Sequence, residues 1–249
     1  MKKNLLIVGL MLALSLSASA QHKGFTFGFK VGPSFNWAGS ATKTATNEGT
    51  RVGGDLGFIV EYNFTENYAL VSGVNVGFLS GHYSFDNGAL DLDSVFDPYR
   101  VDRIYKNTLY EIPVLFKMST NELGNLPLRA YAQVGGGIGF VPQKVRVKDA
   151  IVPDEGTISR PENWSVTNKE FSLFRFSLKV GAGAEYAIQE NLRVFAGLYY
   201  SHDFLNNINH LKPNYAGNYC NEEGEPIRER TTKLNLLQNR IGIEVGVLF

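Results

Sequence analysis

In eight separate stretches between Phe25 and Phe249, apolar side chains recur at every second residue, and the face they share carries no charge. A period of two is the repeat of a β-strand whose two faces meet unlike surroundings. The stretches are Phe25 to Trp37, about Gly54 to Phe64, Tyr68 to Ser80, Thr108 to Met118, Leu128 to Phe140, about Phe174 to Tyr186, Leu192 to His202, and Arg240 to Phe249. The opposite parity holds Lys30, Asp55, Glu61, Glu111, Lys117, Arg129, Arg175, Lys179, Glu185, Arg193, Arg240 and Glu244, together with many glycines, among them Gly28, Gly57, Gly135, Gly137 and Gly197. One face is oily and bulky, the other charged and small.

Two barrels fit that division, and they differ in which face is inside. A soluble barrel would turn the bulky face inward, yet eight strands enclose a space that a few side chains already fill. Turned the other way, the bulky face meets lipid, and the glycines leave room for long charged side chains in a narrow lumen. The links Thr65 to Asn67, Ser119 to Pro127 and Ile188 to Asn191 are short, and the links between them are long. Short inner turns alternating with long outer loops are the mark of an outer-membrane barrel. The sequence therefore predicts an all-β fold, an eight-stranded antiparallel up-and-down transmembrane β-barrel of outer-membrane type. Its last strand must close against its first so that no backbone group stays unpaired in hydrocarbon. A soluble sandwich is the competing reading of the same alternation. Aromatic residues at strand ends, such as Phe25, Tyr62, Tyr68 and Phe249 at one rim and Trp37, Phe78, Phe140 and Tyr200 at the other, suit the two membrane interfaces.

The start of the chain agrees with export. Residues 1–20 have a basic beginning at Lys2 and Lys3, an apolar run from Leu5 to Leu14 and a small-residue ending at Ala18, Ser19 and Ala20. This is the layout of a cleavable secretory signal, which leaves 21–249 as the barrel domain. Removing Lys2 and Lys3 lowers the 24 basic side chains to 22, against 24 acidic ones, so there is no basic footprint for nucleic acid. The lone Cys220 cannot staple the fold.

The stretch TLYEIPVLFKM, with Tyr110, Glu111, Ile112 and Pro113, resembles the signature of the PorT-like outer-membrane β-barrel proteins of Bacteroidetes. The GFKVGPSFNW and LKVGAGAEY strands and the aromatic C-terminus are similar to that family too. The resemblance implies an eight-stranded barrel inserted in the outer membrane by the barrel-assembly machinery, and a link to protein secretion for some members.

Catalytic signals are weak. Ser201, His202 and Asp203 are the residue types of a hydrolase triad, but consecutive strand residues point to opposite faces and cannot align as nucleophile, base and orienter. His22, His82 and His210 are scattered through tail and loops, and no convergent zinc set is visible. Asp86, Asp91, Asp93, Asp97 and Asp102 form an acidic loop after the third strand. It lacks the glycine and closing glutamate of a known calcium loop and reads as solvated surface. The VGGGIGF run from Val134 opens no helix, so it reads as small lumen residues and not as a phosphate loop. Glu222, Glu223, Glu225, Arg228, Glu229 and Arg230 read as a solvated outer loop. No cofactor or metal is expected, and no enzyme.

The candidate site is the lumen: Lys30, Glu61, Glu111, Arg129, Arg175, Lys179, Glu185, Arg193, Arg240 and Glu244. Glu185 and Arg193 lie at matching distances from the Ile188 to Asn191 turn and should pair. Positive side chains outnumber negative ones on this face, so Glu111 should find a cation across the interior, and Pro113 beside it should disturb the ladder. Charges bridging so narrow a lumen predict a plugged barrel whose outer loops bind a protein or envelope partner or support secretion, with Phe249 as an insertion signal. A small diffusion channel, and an outer-membrane enzyme of acyltransferase or protease type, are the alternatives.

Overall fold

The computed structural model describes residues 24–40, 45–86, 100–142, 144–152, 163–168, 170–208 and 235–249. Residues 1–20, read above as a signal, and Cys220, His22, His210, Asp91, Asp93, Asp97 and the charged run from Glu222 to Arg230 lie outside them. The described chain forms eleven strands: β1 (Phe25–Ser40), β2 (Ala45–Asn47), β3 (Arg51–Asn63), β4 (Tyr68–Asp86), β5 (Arg100–Ser119), β6 (Leu128–Phe140), β7 (Lys144–Val152), β8 (Ser165–Asn168), β9 (Phe174–Gln189), β10 (Leu192–Asp203) and β11 (Leu236–Leu248).

Eight of them, β1, β3, β4, β5, β6, β9, β10 and β11, pair in turn as antiparallel neighbours and close into a barrel. The closing ladder runs from Gly28 opposite Leu248 to Ser40 opposite Leu236. Phe249 finishes it: its backbone N–H donates to the Phe27 carbonyl at 2.7 Å, and the Phe27 N–H donates back at 3.0 Å. Every ladder keeps the parity read from the sequence. Outward side chains stay open, with Val31 at 58%, Ile112 at 54% and Leu198 at 58% exposure, while Glu61, Glu111 and Glu185 on the other parity are buried. Burying charge and exposing aliphatic side chains is the reverse of a soluble core, and suits a wall whose outside is hydrocarbon.

The Pro113 expectation takes a specific form. Between β4 and β5 the ladder omits the rungs that would join Gly73 and Val74 to Pro113 and Ile112, with the same register on both sides of the gap. Pro113 has no N–H to give. Gly73 adopts φ +144°, a backbone that side chains resist, and the Ser72 hydroxyl donates to the Pro113 carbonyl at 2.9 Å.

The third and fourth strands are longer than the alternation predicts. β4 and β5 continue past Ser80 and Thr108 as one hairpin, paired out to Asp86 opposite Arg100. There β2 adds to β4, with Ala45 opposite Phe85, and β7 adds to β5, with Tyr105 opposite Val147, followed by β8. Part of what reads as long loops is thus a five-stranded sheet standing on one side of the barrel mouth. Its inner face carries Tyr83, Phe85, Val101, Tyr105, Val145 and Val147, packed with Ala38, Phe171, Ile208 and Leu236 into a second, dry core. The alternation continues in this region, but its phase is inverted, and a search for outward apolar residues stops at the inversion.

Candidate functional site

The lumen fills from the inner end upward. Near the inner turns, Lys117 Nζ donates to Glu61 at 2.6 Å and also pairs with Glu185. Arg193 bridges the same two carboxylates, at 2.8 Å to Glu185 and 3.9 Å to Glu61. Glu185 and Arg193 sit on β9 and β10, on either side of the turn that brings them together. In the next layer Glu244 of β11 accepts from Lys30 at 2.9 Å, Gln133 at 3.0 Å and the Tyr131 hydroxyl at 3.4 Å. Above it Glu111 is shared by Lys179, by Arg240 at 3.0 Å and by the Ser177 hydroxyl at 2.9 Å. Arg240 reaches on to Asp55 at 2.9 Å, and Asp55 also accepts from Tyr199. Arg175 closes the stack on Asp203 at 3.4 Å, and Asn207 donates to the same carboxylate at 3.1 Å.

Arg129 does not join this network. It lies at the inner end of β6, where its Nε donates to the Thr120 carbonyl at 2.9 Å and its terminal nitrogen to the Glu66 carbonyl. Parity alone placed it in the lumen, but its guanidinium is taken by the carbonyls of the neighbouring turns. Without Arg129 and with Asp203, the described interior holds six cations, Lys30, Lys117, Arg175, Lys179, Arg193 and Arg240, against six carboxylates, Asp55, Glu61, Glu111, Glu185, Asp203 and Glu244. The excess of positive charge expected from the sequence is therefore absent from the described lumen.

The inward face is also bulkier than it reads. Ile59, Val71, Leu115, Tyr131, Phe195 and Leu248 form an apolar layer inside the inner half. Glycines make this possible. A Cβ at Gly197 would sit 2.3 Å from the Tyr131 hydroxyl, and one at Gly137 would sit 2.3 Å from a Glu111 oxygen. These positions are small because large side chains from other strands lie across them. Two small cavities of about 20 Å³ lie among the described lumen side chains, one lined by Lys30, Glu61, Lys117 and Tyr131, the other by Lys30, Asp55, Lys179 and Tyr199. Each has room for about one water.

The outer core has its own buried charge. Arg103 sits opposite Asp149 in the β5–β7 ladder and binds it through two nitrogens, each at 2.6 Å, while a third reaches Glu170 at 2.9 Å. Burial works against the guanidinium, and Tyr83, Asp149 and Glu170 more than offset it, so its pKa lies above the ordinary value. Burial likewise pushes the Tyr83 phenol well up, and the Tyr105 phenol up to about 12.

The remaining signals resolve as follows. Ser201 and Asp203 are buried on the inward face, while His202 lies on the outward one, with Nδ1 2.6 Å from the Asn239 side-chain oxygen. The three do not converge. His82 is not in a loop but in β4, and Asp102 is not in a solvated loop but in β5, where the two meet at 2.6 Å. Among the described residues, no group of three or more His, Cys, Asp or Glu is placed to hold a metal.

Against this geometry stand the comparisons with known proteins. A family model described as outer membrane protein beta-barrel domain matches residues 8–220. Neisserial surface protein A is 13% identical, with 89% of this chain and 95% of that chain covered and a TM-score of 0.38. The outer membrane protein OprG from Pseudomonas aeruginosa is 11% identical over 92% of this chain and 97% of that chain, with a TM-score of 0.42. Ail, the attachment invasion locus protein of Yersinia pestis, is 13% identical over 92% and 100%, with a TM-score of 0.30. No curated protein matches the sequence.

Proposed function

This chain belongs to the outer membrane protein β-barrel domain family, and from that premise we propose that it is a non-enzymatic barrel with a plugged lumen, whose work is done at the cell surface by its outer sheet and loops. The observation that carries the reading is the balanced lumen of the described residues, in which cations and carboxylates bridge the interior and the two small cavities between them have room for about one water each. A channel needs a connected wet path, and charges lining one would stand apart. These charges neutralise one another across the barrel. Planar-bilayer recordings of the purified protein test this: no stable conductance is expected. A long-lived open state would overturn the plug and make the same charges selectivity residues.

The finer assignments extend that proposal. The Tyr110, Glu111, Ile112, Pro113 element supports a place among the PorT-like barrels of Bacteroidetes and a secretion-associated role, with a protein or envelope component as partner. A deletion strain that exports its full set of secreted proteins would remove that role. Residues 1–20 would direct export through the inner membrane, and the barrel-assembly machinery would insert the barrel by way of Phe249, which already finishes the closing ladder. F249S should lower the yield of folded barrel with export intact.

A further inference from the structure

On the outward face of the outer sheet, Lys106 of β5 stands opposite Arg146 of β7, and Lys148 follows on the same side. All three surround one indole. The Trp164 ring centroid is 4.8 Å from Lys106 Nζ, 5.2 Å from Lys148 Nζ and 5.9 Å from the Arg146 guanidinium carbon. Among the described residues none of the three has a carboxylate partner, and Lys106 and Arg146 stand exposed while Lys148 is half-buried. Like charges this close repel, and a cation over the half-buried Trp164 indole recovers only part of that cost. An anion shared by the three would relieve that repulsion.

The height of the cluster says which anion. The outer edge of the lipid-facing belt runs through Phe78, opposite Thr108, and Tyr110, opposite Phe140. Lys106 lies two residues beyond Thr108 on the same parity, about 7 Å along the strand at roughly 3.3 Å per residue. That places it beside the headgroups that begin where the hydrocarbon ends, and Trp164 is the residue type that settles at this level. Lys106 shares the parity of Thr108 and Tyr110, so the cluster stands on the face that meets lipid lower down the strand.

We propose that Lys106, Arg146, Lys148 and Trp164 form a docking site for the phosphate-bearing headgroup of an outer-leaflet glycolipid. Arg146 and the two lysines donate charge-assisted hydrogen bonds to phosphate oxygens, and Trp164 holds the three cations at the interface. The site fixes the height and rotation of the outer sheet against the leaflet. It rests on the placement of the barrel in the membrane and not on the plug, so conductance results leave it untouched.

The test titrates the folded full-length protein in nonionic detergent with phosphorylated lipid A, and separately with phosphatidylcholine, and counts bound lipid by native mass spectrometry. Lipid A should be retained at least about tenfold more strongly than phosphatidylcholine. The triple variant K106Q/R146Q/K148Q should lose that preference while keeping the gel shift of a folded barrel, and K106Q alone should lose part of it. The charge-conserving K106R/K148R variant should keep it, which separates lost charge from a disturbed sheet. Equal retention of both lipids by the wild type, or undiminished lipid A binding by the folded triple variant, would overturn the site. Displacement of lipid A from the wild type by a soluble sulfated polysaccharide at equal phosphate and sulfate concentration would assign the cluster to a soluble polyanion and overturn the lipid.

Discussion

At membrane level the barrel is oily outside and charged within, and farther along the same two strands the arrangement is reversed. In β5 the inward parity reads Leu115, Glu111 and then, above the belt, Tyr105 and Val101, while the outward parity passes from the exposed Val114 and Tyr110 to the exposed Lys106, with Ile104 and Asp102 buried beyond it. The strand does not turn over. What changes is the medium beyond it, hydrocarbon first and water afterwards. An apolar side chain is placed where water is absent, which is outside the wall in the belt and inside the sheet in the cap. Charge is tolerated in both interiors only as pairs: Glu111 with Lys179 and Arg240 below, Arg103 with Asp149 and Glu170 above.

The comparison can be broken most forcefully at Glu111. E111L leaves Lys179 and Arg240 without their shared carboxylate, and an uncompensated buried charge costs about 3–5 kcal/mol. Urea titration of the folded gel band should show a loss of that size, and an unchanged midpoint would mean the lumen is wetter than its geometry. In the cap, F85A should cost about 3–4 kcal/mol, read by faster hydrogen exchange in β2, β4 and β7. The gel shift of the barrel should persist, and its disappearance would show that the two regions fold as one unit. A matched pair sharpens the contrast of the outer faces. V114R, at the middle of the belt on β5, should cost about 2–4 kcal/mol in lipid, whereas T46R on the exposed edge of the cap should stay within about 0.5 kcal/mol. The smallest effect is alkaline. Tyr83 and Tyr105 ionise at about pH 10 when unfolded, and burial holds both higher in the cap, Tyr105 at about 12. Their contribution is complete below pH 10 and is lost as pH rises toward 12. Hydrogen exchange in β4 and β5 above the belt should therefore quicken across that window, and a flat profile would show that the phenols are wet.

What the sequence determined by itself was the wall. Period-two alternation with a charge-free face specifies strands, their number and the side that meets lipid, because a single solvent boundary runs the length of each stretch from Leu128 to Phe140 or Leu192 to His202. The pairing of Glu185 with Arg193 was legible for a similar reason: a tight turn converts sequence distance into cross-strand neighbours. Tertiary structure decided what depends on height along the barrel. Parity gives a direction but no depth, so Arg129 reads as a lumen residue and is held by turn carbonyls, and Asp203, set aside with a triad that cannot align, anchors Arg175. The outer sheet was hidden because its alternation is phased for water, and because β2 and β7 are held mainly by pairing to β4 and β5, and β8 by pairing to β7, which no local pattern announces. The Lys106, Arg146, Lys148 and Trp164 cluster has the same origin: residues far apart in sequence become one charged face only when the β5–β7 ladder forms.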